Sequence, residues 1–501
     1  MGVQGFLPFL RKCCPDVFRT LPQRFREIED SRVVIDGTLI TQRFHFSPSP
    51  HPYRHVLGWY RVAEEMRQSR VTATCIFDGK ARHNAKMKEV KRRREAQKIT
   101  AARGQIEGGR LHRLSQLNKF ILSLPTLTPA VVQQSLEALE RLSSKDAADK
   151  LIQNELETLN SQASDRALSE LSTPPLEELV HAPPERAGAP TELATLYDQF
   201  KQSVSQLVTI TDEGATPIPS LTAAEDREIE VLVTKAQAHL AVRENALWTH
   251  LSVLNVEDKE GLDYLTTLAK DIVGQSQGMS NSFERRTNLP TATTYHESRE
   301  ILEAMGIRCV ESEGKVEAEG LASAMVLCGH ADYVASEDTD VLVYGATLMR
   351  NFGSNNVPLE LISGEDIQAA LGLSREAYVD FALLLGTDFS QRLKNVGPVR
   401  ALKFLHDHGG IEGILAAEVK YPPRASEEEY LAEVIAGRSI FEGKVDLPGP
   451  LIGEVAKKRD EQEIQRLLQK YKLDSLVVDG AGWYDLGILS DSYFSDNPVA
   501  A

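Results

Sequence analysis

The feature that most constrains this chain is a set of short apolar runs that each stop at a carboxylate. Residues 32–36 read Arg-Val-Val-Ile-Asp and end at Asp36, and residues 71–77 (Val-Thr-Ala-Thr-Cys-Ile-Phe) lead directly into Asp78. Both are short and β-branched, which predicts strands. Residues 56–68 between them have the composition of a helix. Strand, helix, strand in that order predicts a βα repeat and a parallel sheet. A strand that ends in an acid delivers it to the carboxyl edge of the sheet, where open α/β folds place their ligand sites.

Residues 316–340 repeat the theme with two acidic pairs, Glu317/Glu319 and Asp338/Asp340. Residues 320–329 predict a helix, and 331–336 a short buried strand that ends at the second pair. Four carboxylates brought to one rim repel each other strongly unless cations lie among them. Hard oxygen donors in that number suit Mg²⁺ or Mn²⁺, and two such ions are a common way to hydrolyse a phosphodiester. Taken alone, the pairs fit two solvated acidic turns better.

Further along, residues 295–305 form an amphipathic helical pattern with Gly306 as its C-terminal cap, and 307–310 form a strand. Residues 341–344 continue apolar, and the apolar helix 378–385 runs into Gly386-Thr387-Asp388. Residues 393–398 predict a tight turn. There Asn395 and Gly397 can both take positive φ, and Pro398 suits the first position of a helix over 399–408. Backbone N–H groups at such a turn can hold a phosphate.

The formal charge of −16 argues against a nucleic-acid partner, but it conceals an asymmetry. Residues 80–113 hold 12 Lys/Arg against three Glu, whereas residues 131–280 hold 25 Asp/Glu against 11 Lys/Arg. Local patches rather than the total decide whether a polyanion binds. The basic run predicts a helix on which Lys86 and Arg93, two turns apart, share a face; a solvated helix or an import signal has the same composition. Residues 123–281 read as an acidic, mostly helical insertion with flexible joints at Pro174-Pro175, Pro183-Pro184 and the Gly/Ser-containing stretch 275–282. The chain thus divides into 1–122, 123–281, 282–410 and a helical extension 411–501. Five cysteines without a CxxC pair, no apolar run of membrane-spanning length and no secretory signal predict an intracellular protein in a reducing compartment, nucleus or mitochondrion.

Collected in order, MGVQGF, VVIDGT, IFDGK, VEAEG, SEDTDVLVYG and LLGTDF…NVGPVRALKF resemble the XPG, flap endonuclease and exonuclease one family of 5′-nucleases. The likeness covers about residues 1–120 and 294–410. It implies an α/β, PIN-like, parallel-rich sheet flanked by helices, with a helical arch and a helix–turn–helix element that grips duplex DNA. On that basis Asp36, Asp78, Glu317 and Glu319 match the acids around a first metal, and Asp338, Asp340 and Asp388 those around a second. Gly2 matches the family's N-terminal glycine near the active site. Lys86 and Arg93 match the arch residues that contact the scissile phosphate, with Lys88, Arg92 and Arg94 as rivals. Lys394, Asn395, Gly397 and Arg400 fall in the DNA-gripping turn, which uses a monovalent cation such as K⁺. The implied activity is Mg²⁺-dependent, structure-specific hydrolysis of branched or flapped DNA in repair or replication.

The chain departs from the family pattern in several places. Where the family often stacks an aromatic or His on the DNA, six residues past the first Asp, this chain has Gln42, with Phe44 and His45 nearby. Asn395 replaces the first glycine of the turn. The long insertion resembles the spacer of XPG and offers a surface for a protein partner, or a cover for the basic arch. No clamp-binding box is present, since alignment on Tyr493-Phe494 puts Gly487 and Ser490 at its required positions. A catalytically silent scaffold and an RNA-directed nuclease are the competing readings of the same motifs.

Overall fold

The structure, a computed structural model, describes residues 2–47, 49, 51–79, 84–143, 189–215, 224–255, 258–314, 316–354, 357–449 and 458–478. It divides into two compact units: Met1–Arg93 with Thr222–Glu225 and Pro290–Ala501, and Arg94–Leu221 with Asp226–Leu289. The proline breaks of the insertion, the Tyr493-Phe494 pair and the positions compared with a clamp-binding box lie outside the described residues.

The first unit has an α/β fold built on a seven-stranded mixed sheet. Its strands are β1 (Phe18–Leu21), β2 (Arg32–Asp36), β3 (Thr72–Phe77), β4 (Arg308–Glu311), β5 (Tyr333–Ala335), β6 (Thr347–Arg350) and β7 (Leu359–Ser363), in the order β1-β7-β6-β5-β2-β3-β4. The five central and right-hand strands, β2 to β6, are parallel, while β7 runs antiparallel to both β6 and β1. Side chains alternate across the sheet as a two-residue period requires. Val33, Ile35, Cys75 and Phe77 pack with Phe44, Trp59, Ile301 and Leu467 on one face. Val34, Ile76 and Val334 pack with Phe6, Leu321 and Leu384 on the other.

This order fixes the place of any site. From β2 the chain moves outward to β3 and β4, then returns across the sheet to β5 and β6. The direction of winding therefore reverses between β2 and β5, the kind of crevice where α/β sheets bind ligands. Asp36 ends one of these two strands and the acidic loop 336–340 follows the other. Residues 341–344, apolar in sequence, are a helical turn, Asp340–Tyr344, rather than a continuing strand.

The second unit is helical. It contains Pro129–Ser143, Ala189–Ala215, Ala224–Ser252, Lys259–Thr287 and the part of the helix Met87–Ser123 from Arg94 onward. Its own core gathers Leu114, Leu117, Phe120, Phe200, Trp248 and Ile272. Buried among them, Arg113 pairs with Glu244 at 2.6 Å and Arg110 with Glu107 at 2.8 Å. The stretch 275–282, expected to be a joint, lies inside Lys259–Thr287. Its glycine costs a helix about 1 kcal/mol, which the burial of Met279 and Phe283 beside it outweighs.

Candidate active site

Each acid is placed by an element boundary. Asp36 closes β2 and caps the helix Gly37–Phe46: its Oδ1 accepts from the Leu39 N–H at 3.0 Å and its Oδ2 from the Ser336 hydroxyl at 3.1 Å. Asp78 follows β3, and its Oδ1 accepts from the Ala318 N–H at 2.9 Å, the open N-terminal end of the helix Ala318–Leu327. An anion there is favoured by the free N–H groups and the helix dipole. Glu317 precedes that helix and Glu319 lies in its first turn. Asp338 accepts from the Asp340 N–H at 2.9 Å, and its own N–H donates to Ser336 Oγ at 3.0 Å. Ser336 thus ties the end of β2 to the loop after β5.

The cations of the basic helix reach into this cluster. Lys86 Nζ is 2.9 Å from Glu317 and 2.8 Å from Asp388. Arg93 donates to both oxygens of Asp388, at 3.0 and 3.1 Å, and to Glu89 at 2.7 Å. The rival arch residues point elsewhere: Lys88 pairs with Glu433, Arg92 with Glu89, and Arg94 is exposed. Gly2, with φ +88°, comes so close that a Cβ on it would sit 2.3 Å from Asp338 Oδ1 and 2.7 Å from Asp340 Oδ1. Val3 N–H donates to Thr339 Oγ1 at 2.8 Å and Gln4 N–H to the Gly386 carbonyl at 3.1 Å, which holds the N-terminal strand of chain in that position.

Crowding shows in the proton affinities. Burial, and then the charge of Asp78, pushes Asp36 up to about 7. Burial first and neighbouring carboxylates second hold Glu319 and Asp340 well above the usual carboxylate range. Asp388 is the exception: burial acts to raise it, but Arg93 and Lys86 bring it below the ordinary value. Lys86 stays charged, because Asp388, Glu319 and Glu317 outweigh the burial that would lower it.

The donor set fits hard divalent cations in kind. All the pocket's ligating side chains are carboxylates, and Asp340 Oδ1 is buried without a hydrogen-bond partner. In this arrangement no three acids among the described residues converge on one metal position, and Lys86 and Arg93 lie among them. Asp36 gives a pH prediction. Its folded affinity for a proton is raised, so its contribution to stability is full below about pH 4 and disappears as pH rises through about 7. In chelator, the unfolding midpoint of the wild type should fall between about pH 4 and 7 more steeply than that of Asp36→Asn. Parallel profiles would contradict the buried, proton-holding Asp36.

The turn at residues 393–398 is also in place. Leu393 and Val396 are buried anchors, and Lys394, Asn395, Val399 and Arg400 are exposed. Asn395 has φ +61°. Gly397 does not use the positive φ expected of it: at φ −101° and ψ 176° it is the extended N-cap of the helix Pro398–His408. Arg400 donates to the Asn395 carbonyl and its guanidinium lies 4.8 Å from the Tyr421 ring centre. The stacking position is resolved too. Gln42 donates to the Tyr295 hydroxyl at 3.1 Å, Phe44 packs edge-on against Trp59 in the core, and His45 is buried. None of the three is an exposed stacking platform.

Sequence reasoning missed Ser336, Thr339, Thr38 and Tyr344. Thr38 Oγ1 accepts from the Asp78 N–H at 2.8 Å, and the Tyr344 hydroxyl closes over Gly320 beside Glu319. Each lies within four residues of an acid, a proximity that flags them without revealing a role.

The reversal point of the sheet is thus rimmed with acids, and Lys86 and Arg93 are turned into it. Residues 306–388 match the model of the XPG I-region. An uncharacterized protein of Schizosaccharomyces pombe is 26% identical over 468 residues, 89% of this chain and 87% of that protein. Flap endonuclease 1 of Methanothrix thermoacetophila is 38% identical over 135 residues, 24% of this chain and 40% of that enzyme. The Methanosarcina barkeri flap endonuclease 1 is 34% identical over 197 residues, 36% and 57% respectively. The matched segments thus span about half the length of these flap endonucleases. Over these segments the chain is similar to the XPG/Rad2-type 5′-nucleases.

Proposed function

We propose that this protein is a divalent-metal-dependent, structure-specific 5′ endo/exonuclease that hydrolyses phosphodiester bonds in branched or flapped DNA, in repair or replication. The observation that carries the reading is the meeting of Asp36, Asp338 and Asp340, Gly2 and the Lys86/Arg93 pair at one edge of the sheet. Asp36, Asp78, Glu317 and Glu319 would hold one Mg²⁺ or Mn²⁺, and Asp338, Asp340 and Asp388 a second. When bound, such ions supply a water of lowered pKa and charge stabilisation at the phosphate.

The chain's own residues do the rest. Lys86 and Arg93, already turned toward Asp388, offset negative charge on the phosphoryl group as it develops in the transition state. Gly2, having no side chain, lets the N-terminal segment lie directly against Asp338 and Asp340. Lys394, Arg400 and the backbone of the turn hold duplex phosphates, with K⁺ as an added ligand, so selection follows DNA shape rather than sequence. Residues near the junction unpair to reach the acids, at a cost of a few kcal/mol per unstacked base. We place this activity in the nucleus or the mitochondrion, and the acidic helical unit offers a surface to a protein partner.

The test is cleavage of a 5′-labelled flap duplex in Mg²⁺, beside nicked, Holliday-junction and single-stranded RNA controls. Cutting near the junction that stops in chelator is the expected result. No cutting by folded protein under any divalent ion would overturn the nuclease, and preferred cutting of the RNA would redirect it. In the same assay Lys86→Met, which keeps the side-chain stem against Phe389, should slow the single-turnover rate by about 10²-fold with flap affinity nearly unchanged. A loss of binding alone would place Lys86 in duplex recognition.

A further inference from the structure

The nuclease acids account for Glu317, Glu319, Asp338 and Asp340, but not for Glu337, which lies between Ser336 and Asp338 and is just as buried. Its carboxylate faces away from the acid cluster. It pairs with Arg43 and with Arg350 (3.2 Å), and accepts from the Asn351 N–H at 2.7 Å. Arg350, on β6, also pairs with Glu360 on β7 at 3.2 Å, and Glu360 receives both oxygens' worth of donation from Arg11 at 2.9 and 3.0 Å. Arg43, Glu337, Arg350, Glu360 and Arg11 thus form one continuous alternating chain of charges. Its first four members are almost completely buried, and only Arg11 is half exposed.

Two members of this chain, Glu337 and Arg11, lead to the same place. Glu337 is adjacent to Asp338, whose oxygen a Cβ on Gly2 would strike. Arg11 belongs to the helix Phe6–Cys13, which begins four residues after Gly2. The sequence distance between these segments exceeds 300 residues, and apolar packing alone does not define a lateral register to a fraction of an ångström. Buried charge pairs do, because a shifted pair leaves an unpaired ion in the interior. Fork-shaped guanidiniums add direction as well as charge.

We propose that Glu337 is a positioning residue for the nuclease acids. It is the second member of a largely buried Arg43–Glu337–Arg350–Glu360–Arg11 chain that sets Asp338 and Asp340 against the Gly2 segment. The proposal rests on the reading of Asp338 and Asp340 as catalytic acids. Glu337 touches neither the cluster nor a substrate position; it acts through the loop it holds.

The experiment compares Glu337→Gln, Arg350→Lys and Arg11→Met with wild type and Asp338→Ala on the flap duplex, with Mn²⁺ binding by calorimetry and the unfolding midpoint alongside. Glu337→Gln keeps shape and the bond from Asn351 but removes the charge; Arg350→Lys keeps the charge but loses the fork that spans two carboxylates. Each should lower kcat about tenfold or more at nearly unchanged KM and weaken Mn²⁺ binding severalfold. Arg11→Met, at the exposed end, should lower kcat severalfold with little change in midpoint. It keeps the test decisive if the buried variants do not fold. Wild-type kcat and Mn²⁺ affinity in folded Glu337→Gln or Arg350→Lys, or wild-type kcat in Arg11→Met when neither of those folds, would overturn the proposal. A lowered midpoint with unchanged kcat would also overturn it, since that is the signature of a merely structural pair. If Asp338→Ala still cuts, it is the catalytic reading of the acids that fails, whatever Glu337 does.

Discussion

Asp340→Asn should yield a folded protein that no longer cuts a flap, with the single-turnover rate down at least about 10³-fold. Asp340 is 2% exposed, and its Oδ1 has no hydrogen-bond partner. Burial and the nearby Asp338 and Asp388 carboxylates hold its proton affinity well above the ordinary range. In the absence of a divalent ion this is a destabilised group, kept in a place where stability alone would not put it. The amide removes the repulsion and supplies donors to the neighbouring acids, so the midpoint in chelator should rise by the equivalent of about 1 kcal/mol while activity vanishes. Rate measurement and thermal unfolding in chelator check both halves. A variant that loses stability along with activity would mean that Asp340 is a structural acid, and one that keeps cutting would remove it from the reactive cluster.

Gly2→Ala should be the next most damaging change at the site, although it removes no functional group. At φ +88° an L side chain is strained by about 1 kcal/mol, and the new Cβ would lie 2.3 Å from Asp338, 2.6 Å from Thr339 and 2.7 Å from Asp340. Val3 and Gln4 are held by Thr339 and by the Gly386 carbonyl, so the segment cannot simply retreat. The acid loop must give way instead. Overpacking of this kind costs about 1–3 kcal/mol, and a displacement of reacting groups by an ångström costs about 10²-fold in rate. The expected outcome is therefore a rate loss of about 10²-fold with a modest fall in midpoint, read by single-turnover cleavage and thermal unfolding. Wild-type rates would show that this close approach has no bearing on the chemistry.

The parts of the fold that were legible in the sequence are those with a local signal. β2, β3 and β5 are mainly apolar runs, β4 is marked by Ile307, Cys309 and Val310, and the helices around them have clear periodicity, so their positions could be read to within a residue or two. β1, β6 and β7 could not. Their sequences, Phe-Arg-Thr-Leu, Thr-Leu-Met-Arg and Leu-Glu-Leu-Ile-Ser, carry charge inside a strand of four or five residues. Arg350 and Glu360 are tolerable there only because they pair with each other across the β6–β7 ladder, and that partnership is invisible until the strands are side by side.

The sequence by itself determined which residues are acids, which apolar runs end in them and where the turn of positive φ at Asn395 falls. These follow from chemistry within a few residues. Only the tertiary structure decided that Lys86 and Arg93, rather than Lys88 or Arg92, turn into the acids, and that Phe44 belongs to the core rather than to a stacking surface. It also decided that Gly397 caps a helix in extended conformation and that Gly2 closes on Asp338. For Lys86, Arg93 and Gly2 the outcome depends on which group finds room, or an opposite charge, on an element hundreds of residues away, and sequence spacing carries no information about that distance.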